Sequence, residues 1–371
     1  MKIAVNALFL RPGRVGGTER YLLELLQRLG GLDPEIEWLL AVSKEAADWP
    51  ENSSIRRIVA PVQGEHRVRR SLIEQAWLPR LLERENVSLC WNPGATFILP
   101  TFVPQVTTIH DCLSRAFPKN FGFIERLAVE AHVRLTVKRA RRIIVPSNSA
   151  RDDLVREYAA PGEKIEIVPH AAGEGFSPSS NEGDLAFLSR HSLAAGNYFL
   201  SVASLLPHKN LPLLLRAYAK ARQNRKDFPL LAWTGPGDPK VFLEWSKKAG
   251  VEKNVRPLGW TGTKTMPALY RGSRAVLLSS AFEGFGLAAL EALACGAPLL
   301  STPCAAVREV VGSTALLADS FSEEELAAKI LRIASDEPLR ARLASEGPRR
   351  AAAFSWEESA KKTLAALHRA A

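Results

Sequence analysis

At 371 residues, with 46% apolar and 24% charged residues, the chain is too long for one small core and suits two globular domains of ordinary size. A formal charge of +10 favours anionic partners, yet the cations are dispersed, and no zinc-finger, RNP-type or basic-heptad pattern accompanies them, so nucleic acid is not an expected partner. Cys90, Cys112, Cys295 and Cys304 show no CxxC or metal-ligand spacing and suit buried free thiols in a reducing, cytoplasmic setting.

The opening apolar run, residues 3–10, imitates a signal peptide only faintly. It is short, Arg11 ends it and no small-residue cleavage site follows, so it reads as a first buried strand. No segment reaches the roughly 18 uninterrupted apolar residues of a membrane span. Pro12-Gly13-Arg14-Val15-Gly16-Gly17-Thr18-Glu19-Arg20 comes next. Gly16 and Gly17, placed before a helix, leave amides able to meet a phosphate or an acceptor, with a plain strand-to-helix turn as the alternative. The G-x-G-x-x-G spacing of a nicotinamide-dinucleotide site is absent.

Further strands are expected at 38–42, 55–59, 106–109, 143–145 and 165–168, with amphipathic helices at 18–29, 72–84 and 124–138 between them. That alternation argues for parallel strands joined by crossover helices. Thr107-Thr108-Ile109-His110-Asp111 ends one strand, where His110 reads as a site residue or a structural histidine. Two basic clusters stand out: His66, Arg67, Arg69 and Arg70, then Lys138, Arg139, Arg141 and Arg142 with Arg126 and Arg134 upstream. Both read equally as solvated helix faces or as peripheral contacts for an anionic membrane.

A Gly-, Ser-, Pro- and Asn-rich stretch, 173–196, reads as a hinge, after which the strand rhythm restarts at 198–203, 230–233, 255–258, 275–278, 299–301 and 315–317. The fold class is therefore α/β, in two doubly wound domains at 1–180 and 181–354. A last helix within 355–371 starts with Ser355 and Glu358 at capping-box spacing. Ligands of such sheets lie outside the carboxyl ends of the strands. In Ser201-Val202-Ala203-Ser204-Leu205-Leu206-Pro207-His208-Lys209-Asn210 the Lys209 ammonium suits a diphosphate, unless it merely faces solvent. Gly235-Pro236-Gly237-Asp238 and Leu258-Gly259-Trp260 read mainly as ordinary α/β turns, and Trp260 could stack on a base.

The most informative stretch is Ser280-Ala281-Phe282-Glu283-Gly284-Phe285-Gly286-Leu287-Ala288-Ala289-Leu290-Glu291-Ala292-Leu293-Ala294-Cys295-Gly296-Ala297-Pro298. Gly284 and Gly286 let the backbone approach a ligand, the following helix N-terminus suits a phosphate, and Glu291, expected about two turns into that helix, can accept hydrogen bonds from a ribose diol. E-x7-E with an internal G-F-G-L, followed by E-A-L-A-C-G-A-P, resembles the signature of retaining GT-B glycosyltransferases of family 4. The resemblance covers nearly the whole chain, because the other motifs fall in the same order.

The resemblance implies two Rossmann-like domains facing across a cleft, an N-terminal acceptor side and a C-terminal donor side, with the last helix returning to the first domain. It implies transfer of a hexose, with GDP-mannose a frequent donor, from a nucleotide diphosphate to a cell-surface glycan, lipopolysaccharide or glycolipid acceptor. It assigns His110, Glu283 and Lys209 to catalysis. Donor binding goes to Gly16, Gly17, Ser204, Lys209, Leu258, Trp260, Glu283, Gly284, Phe285, Gly286, Leu287 and Glu291, and Asp111 orients local backbone or meets the acceptor. Anomeric retention follows when the acceptor attacks on the leaving-group face and the phosphate takes its proton; a glycosidase-like nucleophile, for which Glu283 is the candidate, is the alternative. No D-x-D or histidine-rich motif is present, so no metal and no cofactor beyond the donor are expected. Two departures stand out: Ser204 where many relatives carry Arg, and Ser279 where many carry Pro. Ser204 leaves either Lys209 to act with backbone and hydroxyl donors, with His208 or Arg271 as helpers, or donor binding weaker than usual; both departures keep open a silent sugar-nucleotide binder, and the shared architecture keeps open a nucleotide-sugar epimerase.

Overall fold

A computed structural model of the protein describes residues 1–12, 16–47, 55–65 and 67–371, with backbone alone for Arg67 and Val68. Gly13, Arg14 and Val15 of the glycine loop and His66 of the first basic cluster lie outside the described residues. The chain gathers into two compact units, Met1–His170 with Ser355–Ala371, and Ala171–Phe354.

The first unit carries a parallel sheet of β1 (Lys2–Ala7), β2 (Glu37–Val42), β3 (Ile55–Val59), β4 (Leu89–Asn92), β5 (Gln105–Thr108), β6 (Arg142–Val145) and β7 (Ile165–Ile167). Their order is β3-β2-β1-β4-β5-β6-β7. β1, β2, β4 and β5 are buried almost throughout, as a parallel sheet covered on both faces requires. β1 ends at Ala7, earlier than expected, because Leu10 N–H turns back to the Ala7 carbonyl at 2.9 Å. β4 was not expected at all, yet it pairs with both β1 and β5.

The second unit repeats the plan with β8 (Tyr198–Val202), β9 (Leu230–Thr234), β10 (Val255–Gly259), β11 (Ala275–Leu278), β12 (Leu299–Ser301) and β13 (Leu316–Leu317), in the order β10-β9-β8-β11-β12-β13. In each sheet the chain winds outward one way from the first strand and then crosses to its other side. The switch points fall between β1 and β4 and between β8 and β11, the positions at which such sheets bind ligands. Apolar clusters cover both faces of the second sheet: Tyr198, Leu200, Val276 and Leu290 belong to one, Phe199, Leu231, Trp233 and Leu277 to the other.

The expected hinge is a packed part of the second unit. Phe176, Leu188 and Leu193 are buried there, and Asp184–Arg190 is helical. The boundary between units falls at His170/Ala171, ten residues before the expected 180/181, because Arg271 clamps this segment. Its guanidinium donates to both Asp184 oxygens at 2.7 and 3.0 Å and to the Ser177 carbonyl at 3.1 Å. The last helix, Trp356–His368, lies against Gly17–Leu32 within the first unit. Ser355 caps it by accepting from Glu358 N–H, Arg28 reaches Glu357 at 2.8 Å, and Ser359 donates to the Pro169 carbonyl. All four cysteines are buried and free, and burial pushes the Cys90, Cys112 and Cys295 thiols up to about 12.

Candidate active site

Lys209 follows β8 and Glu283 follows β11, the two strands that flank the switch point of the second sheet. Their side chains meet there: Lys209 Nζ donates to Glu283 Oε1 at 2.6 Å. The two loops are stitched together beneath the pair. Ser279 Oγ donates to the Lys209 carbonyl at 2.8 Å, Ala281 N–H to the His208 carbonyl at 2.8 Å, and Thr302 Oγ1 to the Ser280 carbonyl at 2.7 Å. Ser279 thus has a positional role that a proline could not fill, since proline has no hydroxyl to donate.

Burial raises the Glu283 carboxyl, but the Lys209 ammonium, helped by the Ser280 hydroxyl and His208, outweighs it and holds the group below its usual value. Each side chain keeps about a fifth of its surface exposed, so the pair is fixed yet reachable. His208 is buried, and burial first, then Lys209, pushes it down to about 4 against the pull of Glu283. At neutral pH it is uncharged. Neither expected helper therefore supplies a second cation: His208 is neutral, and Arg271 is committed to Asp184.

Gly286 starts the helix Leu287–Ala294 with φ +100°, a left-handed conformation that glycine adopts without strain. A Cβ there would also stand 3.0 Å from Val307 Cγ2. Phe285 is buried edge-on against Phe354, so it anchors the glycine turn from below, and Leu287 is half-buried. Glu291 sits one turn into this helix, not two, because the helix begins only at Leu287. It is buried, and Oε2 accepts from Tyr270 OH at 2.9 Å. That phenol, 21 residues upstream, fixes the rotamer of the acid and has no signal in the motif.

Ser204 is half-buried after β8, and Leu258 is half-buried in β10. Trp260, just past β10, exposes 48% of its surface. Gly235 lets the β9 loop close on the β8 loop, since a Cβ there would lie 2.1 Å from the Ala203 carbonyl oxygen. Trp233 Nε1 donates to that same oxygen at 2.9 Å. The Ser204 loop, the Gly235 turn and the β10 end are therefore one supported rim.

In the first unit His110 follows β5, and its Nε2 lies 3.0 Å from the Pro93 carbonyl at the end of the neighbouring β4. A carbonyl only accepts, so Nε2 carries the proton and Nδ1 keeps its lone pair. Tyr21 stands edge-on to the ring at 4.9 Å, and its hydroxyl lies 3.2 Å from Thr108 Oγ1, which also accepts from Trp91 Nε1. His170 packs between Tyr21 and Trp356 of the last helix. Burial pushes His110 down to about 4, against the Pro93 bond, so the ring is neutral at pH 7. Asp111 accepts from Leu113 N–H at 2.9 Å, a local turn bond that leaves an acceptor contact open. Gly16 precedes the helix Gly17–Leu32 with φ +74°, and among the described residues nothing stands within 4 Å of where its Cβ would be. Among the described residues no group of three or more His, Cys, Asp or Glu side chains could hold a metal ion. Tyr21, Pro93, Thr108, His170 and Trp356 were not anticipated, because their meeting is a product of strand order.

Two family profiles match the chain: "Glycosyltransferase Family 4" over residues 15–172 and "Glycosyl transferases group 1" over residues 190–350. Among curated relatives, O-antigen chain mannosyltransferase B of Escherichia coli is 29% identical over 73% of this chain and 72% of its own length. The D-inositol 3-phosphate glycosyltransferase of Actinosynnema mirum is 30% identical over 72% of this chain and 67% of its own length. Among solved structures, WaaG, a glycosyltransferase involved in lipopolysaccharide biosynthesis, superposes with a TM-score of 0.80 at 17% identity over 99% of both chains, which establishes the GT-B fold. With a profile on each unit and the signature pair Glu283 and Glu291 at the second switch point, the chain belongs to glycosyltransferase family 4.

Proposed function

We propose that the protein is a retaining hexosyltransferase that takes a sugar from a nucleotide diphosphate and passes it to a cell-surface glycan or glycolipid. The observation that carries this reading is the Lys209–Glu283 ion pair set beside the Gly286 helix N-terminus, with Glu291 one turn along. A diphosphate meets a point charge and free amides there, a ribose diol meets a buried carboxylate, and Glu283 remains to accept from sugar hydroxyls. The acceptor oxygen forms a bond to the anomeric carbon as the carbon–phosphate-oxygen bond breaks, and the acceptor proton passes to the departing phosphate. Lys209 and the helix terminus stabilise the charge that develops on that phosphate. Neutral His110, its Nε2–H spent on the Pro93 carbonyl, turns Nδ1 to accept from a sugar hydroxyl and needs no change of charge near neutral pH.

The likeness to a mannosyltransferase supports GDP-mannose as the first donor to test, and the likeness to O-antigen and inositol-phosphate glycosyltransferases supports a cell-surface or inositol-containing acceptor. A thermal-shift screen against UDP-, GDP-, ADP- and dTDP-sugars identifies the base, because donor binding to the folded state raises the melting temperature. Product NMR then reads the anomeric configuration: retention supports the reading, and inversion removes it. The missing arginine at Ser204 favours one second reading, a sugar-nucleotide binder without turnover, which the same assay separates by the absence of product.

A further inference from the structure

Its own hydrogen bond holds His110 less firmly than a sugar-ordering role requires. Among the described residues the ring has one such bond, from Nε2–H to the Pro93 carbonyl. Rotation about Cβ–Cγ of a histidine is soft and roughly two-fold. Nε2 lies closer to that axis than Nδ1, so the bond tolerates a turn that swings Nδ1 off its direction. Nδ1 is the atom left to meet a sugar hydroxyl.

The restraint on that turn is aromatic. Tyr21, fully buried near the start of the helix Gly17–Leu32, stands at 86° to the His110 ring with centroids 4.9 Å apart. His170 lies 5.6 Å away at 65°. Two close rings at steep angles leave His110 one orientation, since a packed ring turns only when its neighbours move. Both neighbours are held in turn by the last helix, Trp356–His368. The Tyr21 hydroxyl lies 3.2 Å from Thr108 Oγ1 at the end of β5, and the Thr363 hydroxyl of the last helix is its second partner. His170 stacks on Trp356, and Ser359 donates to the carbonyl of Pro169 just before it. All of these residues belong to the first unit. Burial outweighs both threonines and pushes the Tyr21 phenol above its usual value, so the hydroxyl keeps its proton and does no acid–base work.

We propose that Tyr21 is a positioning residue for the reaction: backed by the last helix and aided by His170, it fixes the His110 ring so that Nδ1 faces a sugar hydroxyl. A tyrosine serving only as core would need its bulk and not its hydroxyl. The proposal rests on the proposed transfer reaction and adds to it the residue through which the end of the chain acts on the site.

The test uses the full chain labelled with [15N]histidine, with the His110 signal assigned by its loss in His110→Gln. In the native protein His110 should appear as a single neutral Nε2–H tautomer. Tyr21→Phe keeps the ring and removes the hydroxyl; it should show a second tautomer or a broadened His110 signal. With the nucleotide sugar selected by thermal shift, its kcat should fall by about 10- to 100-fold, the cost of a misdirected group. The melting shift given by the corresponding nucleoside diphosphate should stay native, because that ligand carries no sugar for His110 to meet. Thr363→Val should act in the same direction by less. Leu25→Ala, which opens a cavity elsewhere in the same helix, should lower the melting temperature and leave the His110 signal and kcat unchanged. A native His110 signal in both Tyr21→Phe and Thr363→Val, a native kcat in Tyr21→Phe, or an equal loss of kcat in Leu25→Ala would each overturn the proposal. Failure of the transfer reading looks different: the native protein then gives no product, while the His110 signal still decides whether Tyr21 sets the ring.

Discussion

Lys209 Nζ lies 2.6 Å from Glu283 Oε1, and the two residues close the loops of the adjacent strands β8 and β11. The acid keeps the ammonium pointed, and the ammonium holds the carboxyl below its usual value. Each therefore depends on the other, and each is separately suited to the donor. Lys209→Met should lower kcat/KM by about 100- to 1000-fold, the range seen when one donor to a developing anion is removed. It also removes the group that holds the Glu283 carboxyl down, so the acid limb of the pH profile should move to higher pH. The Lys209→Met/Glu283→Gln double variant should lose much less than the sum of the single losses, because the pair acts as a unit. Full additivity in steady-state kinetics would show that the pair is incidental.

Glu291 and Tyr270 form a second pair in which one member meets the ligand and the other holds it. Tyr270→Phe removes the hydroxyl that donates to Glu291 Oε2 at 2.9 Å in a buried setting. The expected cost is about 1–3 kcal/mol, felt in the KM for donor and hardly in kcat. Glu291→Ala should raise KM further. A Tyr270→Phe variant that lowers kcat alone would move this pair from binding to chemistry.

What could be read from the sequence was what is local in it. Glu283, Gly284, Gly286 and Glu291 fall within nine consecutive positions, so their chemistry is visible as a string. β4 was missed because Leu89-Cys90-Trp91-Asn92 is four residues long, ends in a polar residue and runs into Pro93-Gly94, which shows no period at all. Its central place comes from pairing with β1 and β5, which no local pattern encodes. The setting of His110 was hidden for the same reason. Pro93 reaches it only because β4 and β5 are neighbours, and Tyr21 only because the helix after β1 covers that strand end. Arg271 misled in the opposite direction: an arginine near the motif suggests a phosphate ligand until Asp184 is seen to hold it.

Glu74, in the helix Arg67–Arg84, gives the first unit a pH dependence of its own. It is 1% exposed, and burial pushes its carboxyl up to about 7 against the opposing pull of Arg70, 3.8 Å away, and Asn6. The folded-state value lies above the unfolded one, so the contribution to stability is fully present below about 4.5 and is lost as pH rises through about 7. The size is on the order of 3 kcal/mol between those limits. Glu74→Gln should flatten this slope in urea titrations across pH 5–8 and stabilise the protein at pH 8. His110 and His208, both pushed down to about 4, act with the opposite sign: their contributions hold above about 6.5 and disappear as pH falls through 4. An unchanged slope in the Glu74→Gln variant would mean that the carboxyl is not the source.

Trp356 ties the end of the chain to the first unit. It is 2% exposed and stacked on His170 at 5.8 Å. Trp356→Ala should cost about 3–5 kcal/mol in that unit. Calorimetry should show the transition of the first unit falling while the donor-dependent rise in the second survives. A variant that melts like the native protein would contradict the packing described.

The central claim is that the end of β8 and the glycine turn after β11 grip an activated sugar by its phosphates and ribose. A crystal structure of the protein with the donor selected by thermal shift tests it most directly. The account predicts Lys209 Nζ and an amide of the Gly284–Gly286 turn within hydrogen-bond reach of the diphosphate, with Glu291 on the ribose hydroxyls and Glu283 on the sugar. A donor bound with its diphosphate away from Lys209 and its ribose away from Glu291 would contradict it.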